Sequence, residues 1–384
     1  MEFGQGALEN MVTHKINKTF WAKKRVMITG HTGFKGSWLS LWLQTMGACV
    51  TGYSLSPPTR PSLFEAARVA EGMKSVTGDV RDFDHVTAVI SEHKPEIIIH
   101  MAAQSLVRYS YKNPLETYTT NVIGTVNVLE AVRVTPGVKV VIIVTSDKCY
   151  ENKEWLWGYR ENDRIGGYDP YSSSKGCAEL VTAAYRSSYF PEKKYEVHGV
   201  AVASVRAGNV IGGGDWSDDR LVPDIVKAFK ENRPVIIRNP QSIRPWQYVL
   251  EPLHGYLCLS ERLWERGQDF TGGWNFGPNE EGIKTVSWIA DRMTKLWGGS
   301  ARWESDNELL HPHEANLLQL DCSKARNILC WKPKLSLPLA LEWIVEWYCN
   351  YYSDKDMRKH SDAEISRYEE YEDEAASIKS VSQS

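Results

Sequence analysis

Short apolar strands alternating with helix-length stripes constrain this chain more than any other feature of its 384 residues. Arg25–Thr29 (RVMIT) reads as a strand, followed at once by a glycine-rich turn and the segment SWLSLWLQTMG. In that segment Trp38, Leu39, Trp42, Leu43 and Met46 share one helical stripe, which Gly47 ends. A second strand is predicted around Ala48–Tyr53. Strand Glu96–His100, helix Leu115–Val132, strand Lys139–Thr145, helix Ser172–Phe190 and strand Val197–Val205 continue the alternation. Strands and helices at this spacing imply a parallel sheet covered on both faces.

After Arg206 the texture changes. Glycine, proline and tryptophan become frequent in NVIGGGDW, IRNPQSIRPWQYV and TGGWNFGPN, which suits a smaller domain closing over a ligand. The expected division is a dinucleotide domain over 21–205, to which later segments return, and a ligand domain over 206–352. Residues 1–10 precede a second methionine, Met11, and read as a vector-derived extension. Leu335–Tyr348 is the last packed helix expected, and 353–384 a polar tail with one weak helix near Asp362–Ala376.

A formal net charge of -3 provides no field for drawing in nucleic acid, so any diphosphate must be held by a local cluster of donors. Seven scattered cysteines without a CxxC pair argue against a disulfide framework and a structural zinc site, and point to the cytoplasm. The longest apolar runs, Val138–Ser146 and Glu96–Ala103, have strand length and cannot span a bilayer. His311-Pro312-His313-Glu314 cannot place both imidazoles on one helical face, so no metal is expected.

The turn Gly30-His31-Thr32-Gly33-Phe34-Lys35-Gly36 lies directly between strand and helix. Its glycines let the backbone bend sharply and approach a pyrophosphate, which the amide N–H groups of the helix N-terminus would hold. Gly30, Thr32, Gly33, Phe34, Lys35 and Gly36 are therefore candidate dinucleotide residues. A dinucleotide fold usually ends its second strand with a carboxylate for the adenosine ribose. Here that stretch reads Thr51-Gly52-Tyr53-Ser54-Leu55-Ser56, with Arg60 following. This weakens the preference for NAD over NADP and suggests looser cofactor binding. Asp79 is either an adenine contact or a turn aspartate.

Tyr171 and Lys175 stand at i and i+4 on a predicted helix, so they share a face. A lysine ammonium beside the phenol, with a positive nicotinamide nearby, would lower its pKa from about 10 and make it a base.

Taken with His100-Met101-Ala102-Ala103-Gln104, Asn121 and Arg206-x-x-Asn209-Val210, these motifs resemble the extended short-chain dehydrogenase/reductase family of nucleotide-sugar enzymes. The resemblance runs from about Lys24 to Tyr348. It implies a Rossmann-type doubly wound parallel sheet with a smaller C-terminal α/β substrate-binding domain. NAD is the implied cofactor, with Ala102, Ala103, Tyr171 and Lys175 among its contacts. In that family 4-epimerases carry Ser where 4,6-dehydratases carry Thr-Asp-Glu. This chain has Ser146-Asp147-Lys148, which, with Trp155-x-Trp157-Gly158-Tyr159-Arg160-Glu161, is similar to the dehydratase branch that acts on CDP-glucose.

The implied chemistry is oxidation at C4, loss of water across C5–C6, and hydride return to C6. Ser146 and Tyr171 would position and deprotonate the 4-hydroxyl, Asp147 would protonate the leaving 6-hydroxyl, and Lys148 would occupy the base position. Direct Asp147–Lys148 pairing would push both pKa values the wrong way, so either the pair is desolvated or Lys148 acts electrostatically. The resemblance makes Asn209 and Arg244 candidates for holding the diphosphate, with Gln104, Arg220, Arg238 and His313 as further substrate candidates. Trp38, Trp42, Trp343 and Trp347 read as core; Trp155, Trp157, Trp216 and Trp246 are expected near the ligand. No residue identifies cytosine, and CDP-glucose is what the resemblance implies, as is a role in supplying deoxysugar for bacterial surface polysaccharide. A 4-epimerase or decarboxylase of the same fold is the competing reading, separated by Asp147-Lys148. A non-catalytic dinucleotide sensor would have lost the Tyr171–Lys175 pair. A homodimer through helices Leu115–Val132 and Ser172–Phe190 is also implied, with a dimer of dimers as the larger alternative.

Overall fold

The computed structural model describes residues 15–306 and 317–371. Seven strands form one sheet: β1 (Arg25–Thr29), β2 (Cys49–Ser54), β3 (Lys74–Thr77), β4 (Ile97–His100), β5 (Val140–Val144), β6 (Ala201–Arg206) and β7 (Gly272–Asn275). Their order is β7-β6-β5-β4-β1-β2-β3, and every neighbouring pair is parallel. The doubly wound sheet expected from the alternation is therefore present. Strand order reverses between β1 and β4, where their C-terminal ends open the crevice in which such sheets bind ligands.

The central strands are apolar throughout because both faces are covered. Val26, Ile28, Ile97, Ile99, Val140 and Ile142 belong to one core, while Met27, Ile98, Val141 and Ile143 belong to the other. The first core is the larger. It takes in Trp38 and Trp42 from α1 (Phe34–Thr45) as well as Trp343 and Trp347 from far along the chain, all four buried as expected. α2 (Phe83–His93) and α3 (Gly124–Val134) cover the opposite face.

Four expectations need correction. The helix predicted as Leu115–Val132 is interrupted by a wide π-turn at Thr119–Ile123, which separates Pro114–Tyr118 from α3. The turn carries Asn121, whose amide is fully engaged by backbone and side-chain partners. The strand predicted from Val197 begins only at Ala201, because Tyr195–His198 is helical and Gly199 ends it at φ +65°. α4 (Pro170–Ser188) agrees closely with its expected span, its N-terminus capped by Asp169. Third, the later half does more than return to the sheet at its edge. α5 (Leu250–Arg266) packs along β5 and β6, and β7 pairs with β6 through Trp274 and Val205.

The fourth correction concerns the end of the chain. α6 (Leu337–Tyr352) is not the last packed element. α7 (Met357–Glu370) follows, burying Met357, Ile365 and Tyr368. Its charged composition concealed a face that docks through polar contacts: Tyr368 Oη donates to Glu251 at 2.7 Å, Tyr248 donates to Glu364, and Trp347 Nε1 donates to Ser361 Oγ at 3.1 Å. Among the described residues no helix is long and apolar enough to cross a membrane.

Candidate active site

The glycine turn at the end of β1 is built as its spacing requires. Gly30 has φ +78°, and a Cβ there would stand 2.8 Å from the Ala102 nitrogen. A Cβ on Gly36 would lie 2.1 Å from Gly30 O, so both positions need glycine for the turn to close. Gly33 caps α1 without a side chain, leaving the helix N-terminus open to an anion. Thr32 is turned away from it, donating to Leu55 O at 2.9 Å and facing Ser54 Oγ at 2.9 Å. The Ala102 N–H donates to Thr29 Oγ1 at 3.1 Å, tying the β4 end to the turn, and Ala103 follows half-buried.

Two expected cofactor residues do not join this cluster. Arg60 has a side chain 85% exposed, with Glu65 4.0 Å away, because its loop carries it out into solvent. The Asp79 carboxylate is engaged by Arg81 at 2.5 Å, and that hydrogen bond, more than any other influence, holds its pKa below the ordinary range. The turn-aspartate reading of Asp79 fits these contacts.

A cavity of about 840 Å³ opens beside Phe34 and Lys35. Its floor includes Ser146, Asp147, Lys148 and Tyr171, and its mouth includes Asn209, Arg220, Arg238 and Arg244. Ser146 leads from β5 into a tight turn; its Oγ donates to Asp147 Oδ1 at 2.9 Å and accepts from Lys148 N at 3.2 Å. Asp147 is only 1% exposed, and its Oδ2 has no hydrogen-bond partner among the described residues. Gly208 makes room for that oxygen, since a Cβ at 208 would stand 1.8 Å from it. Lys148 is half-buried and lines the cavity. Among the described residues no ion pair joins it to Asp147, so the damaging mutual pairing considered from sequence does not occur.

Tyr171 and Lys175 lie buried on the first turns of α4. Burial, with a smaller push from Asp147, raises the Tyr171 phenol to about 12 against the lowering effect of the Ser146 hydroxyl that hydrogen-bonds it. The Lys175 ammonium donates to Val144 O at 3.2 Å; burial, then repulsion from Lys35, lowers it to about 7. Within the chain's own field, with no nicotinamide present, burial dominates the phenol and Lys175 is not among the groups that shift it. Lys35 is also lowered, to about 8, by burial first and by Arg220 second.

At the mouth Arg220 pairs with Asp215 at 2.8 Å and reaches Ser105 Oγ at 3.1 Å. Arg238 lies 3.7 Å from Asp219, which also pairs with Arg108 at 3.3 Å. Arg244 sits in a strand, Ile243–Pro245, paired antiparallel with Ile283–Thr285. Asn209 has φ +47°, and its carbonyl accepts from Gln247 N at 3.2 Å. Gln104 is not in the cavity lining: its main chain is held by Asn121 and its side chain donates to Leu106 O at 2.9 Å. His313 lies outside the described residues. Trp246 lines the cavity, whereas Trp216 packs on Trp347 and Tyr351 in the interior. Trp155 stacks on Tyr159 and leans at a tilt against Trp157, and neither tryptophan is in the cavity lining. Sequence reasoning missed Arg108 and Gly208, which belong to no recognised motif, although Gly208 sits inside the Arg206-x-x-Asn209 run.

The glycine turn on the first strand and the Tyr-x-x-x-Lys helix beside the cavity define the class, an extended short-chain dehydrogenase/reductase fold. The chain belongs to the GDP-mannose 4,6 dehydratase family, whose model it matches over residues 27–342. It is 58% identical over 353 residues to the CDP-glucose 4,6-dehydratase of Salmonella typhimurium, covering 92% of this chain and 98% of that one. It is 26% identical to the UDP-glucose 4-epimerase of Mycolicibacterium smegmatis, over 85% of this chain and 99% of that one. Among solved structures, the dTDP-glucose 4,6-dehydratase of Bacillus anthracis in complex with NAD aligns with a TM-score of 0.70 at 21% identity, covering 86% and 98% of the two chains. That likeness concerns the fold.

Proposed function

We propose that this protein dehydrates CDP-D-glucose to CDP-4-dehydro-6-deoxy-D-glucose with NAD as resident cofactor. The observation that carries the reading is the buried Asp147 carboxyl, one oxygen unpartnered, on the same cavity floor as Ser146, Lys148 and Tyr171. A 4-epimerase has no use for an acid–base couple there. The choice of CDP-glucose follows the 58% identical relative.

The residues present fit a dinucleotide. Gly30 and Gly36 let the turn close against Ala102 and onto itself, where a Cβ would strike backbone, and the α1 N-terminus that follows carries no side-chain cap. Gly33, Phe34, Lys35 and Ala102 would hold the cofactor. When bound, NAD would supply positive charge near the phenol and serve as acceptor and then donor of the hydride that moves from C4 to C6. Tyr171, hydrogen-bonded to Ser146, takes the 4-hydroxyl proton. The resulting ketone acidifies C5–H; Lys148 removes that proton while Asp147 protonates the 6-hydroxyl, which departs as water, and Lys148 returns its proton to C5 as C6 is reduced. Asn209, Arg220, Arg238 and Arg244 grip the diphosphate through charge-assisted hydrogen bonds. Residues 21–205 supply the cofactor half and 206–352 the nucleotide-sugar half.

A homodimer is part of the same proposal. Leu115 and Leu180 are 78% and 61% exposed, and Ile123 and Tyr189 are exposed on the same two helical regions. Apolar side chains in such number on two adjacent helices suit a self-complementary interface. The deciding experiment incubates the protein with NAD and each nucleoside-diphosphate glucose, then reads the absorbance of a 4-keto-6-deoxy product in base. Product from CDP-glucose is expected. Epimerised sugar with no such absorbance would overturn the reading.

A further inference from the structure

A chain of buried polar contacts that none of the roles above uses runs from the cavity lining, at Thr145 and Tyr150, inward to Glu179 and Arg206, which do not line it. Glu179 lies on α4 one helical turn beyond Lys175. Its Oε2 accepts from Arg206 Nη2 and from Ser204 Oγ, each at 2.7 Å, and its Oε1 accepts from Thr145 Oγ1 at 2.5 Å. Arg206 Nη1 donates to Tyr150 Oη at 2.6 Å and to Glu161 O at 3.0 Å. The Tyr150 hydroxyl passes the chain on, donating to Asn275 Oδ1 on β7 at 2.7 Å. The ion-paired side chains are 6% and 5% exposed.

Four members stand close in sequence to a group with a proposed role. Thr145 precedes Ser146, Tyr150 closes the turn that holds Asp147 and Lys148, and Glu179 follows Lys175. Arg206 ends the strand leading to Gly208, which abuts the Asp147 carboxyl. Buried ion pairs seldom stabilise a fold more than apolar packing of equal volume would. What this one adds is direction, since a planar guanidinium fork fixes three elements at defined angles. Charge and hydrogen bonds here join α4, which carries the phenol, to the turn that carries the acid and the amine.

We infer that Glu179 and Arg206, relayed by Tyr150, form a positioning pair. It sets the distance between Tyr171 and the Asp147–Lys148 turn, so that C4 oxidation and water loss remain coupled on one sugar. The inference rests on the dehydratase reading of the site. None of the three need touch the substrate to act in this way.

Two variants test it in the NAD-loaded protein turning over CDP-glucose. Tyr150→Phe removes only the relay hydroxyl and leaves the ion pair in place; Glu179→Gln keeps the shape and removes the charge. Tyr150→Phe should lower kcat about tenfold and Glu179→Gln about a hundredfold, the scale of a misplaced reacting group. KM should stay within about twofold. Reduced nicotinamide absorbance should build up during turnover, because oxidation continues while elimination lags. Should Glu179→Gln fail to fold, Tyr150→Phe decides alone. Wild-type kcat in Tyr150→Phe overturns the inference, as does a loss of rate with no build-up of reduced cofactor. If the unsubstituted protein makes no 4-keto product, the reading of the site fails and the pair's role with it. Failure of the variants' signature alone removes only the pair.

Discussion

The floor and the mouth of the cavity are held in opposite ways. On the floor, Asp147, Tyr171 and Lys175 are almost wholly buried, and the neighbouring Glu179–Arg206 pair is sealed among hydrogen bonds of 2.5–2.7 Å. At the mouth Arg108, Arg220 and Arg238 lean on Asp215 and Asp219, with arginine side chains 33%, 32% and 26% exposed. The half-exposed pairs that Arg108 and Arg238 make with Asp219 contribute about 0–1 kcal/mol, so a diphosphate can replace that aspartate at little cost; Asp215, only 4% exposed, holds Arg220 more firmly. In the proposed reading, two of the groups that transfer protons, Asp147 and Tyr171, are fixed by burial before the ligand arrives, while groups that hold it are more lightly tethered. Substitutions on the floor should therefore act on kcat and those at the mouth on KM.

The sharpest way to break that contrast is Tyr171→Phe. Loss of the phenolic oxygen should lower kcat about 10³-fold with nucleotide-sugar affinity nearly unchanged; full turnover would remove Tyr171 from the mechanism. Lys148→Ala should reduce elimination about 10²-fold and let reduced cofactor accumulate, and ordinary steady-state turnover would exclude it. At the mouth, Arg244→Ala should raise KM about tenfold and leave kcat within about twofold, the effect of one lost charge-assisted hydrogen bond. A fall in kcat alone would show that floor and mouth are not separable. Gly208→Ala sharpens the picture: a methyl group forced against Asp147 should lower kcat several-fold and leave KM alone. Equal change in both would place Gly208 with the mouth.

The smallest effect concerns stability. The Lys175 pKa falls from 10.5 to about 7 on folding, so between these values the unfolded chain binds more protons than the native one. Stability from this group rises with pH across that window, and the burial penalty is complete below about 7. Lys175→Met should therefore raise the melting temperature by a few degrees near pH 7, with the gain shrinking toward pH 10. A pH-independent difference would show that the lysine is not buried as a charge.

The sequence made the sheet legible because a parallel sheet leaves a simple imprint, apolar runs such as Ile97–Ile99 and Val140–Val144 between helical stripes. The site motifs Gly30–Gly36, Ser146–Lys148 and Tyr171–Lys175 were legible because local spacing alone sets their geometry. Arg60 and Gln104 could not be placed from spacing, since their roles depend on which way a loop turns. Arg108 and Glu179 were invisible for the complementary reason: their partners, Asp219 and Arg206, are far away in sequence. The same holds for α7, whose Glu364 and Tyr368 look like solvated residues until Tyr248 and Glu251 are brought beneath them.

That last helix has a consequence for biosynthesis. Trp42 is capped by Glu369 and packed by Tyr368, and the buried Glu251, pushed up to about 7 by burial, takes its side-chain hydrogen bond from Tyr368. During synthesis these sites on earlier segments stay uncovered until α7 emerges, so the largest core closes only once α7 has been made. A chain broken just after α6 would leave the Trp42 indole N–H without Glu369 and Glu251 with only the Lys334 and Leu335 N–H groups as donors.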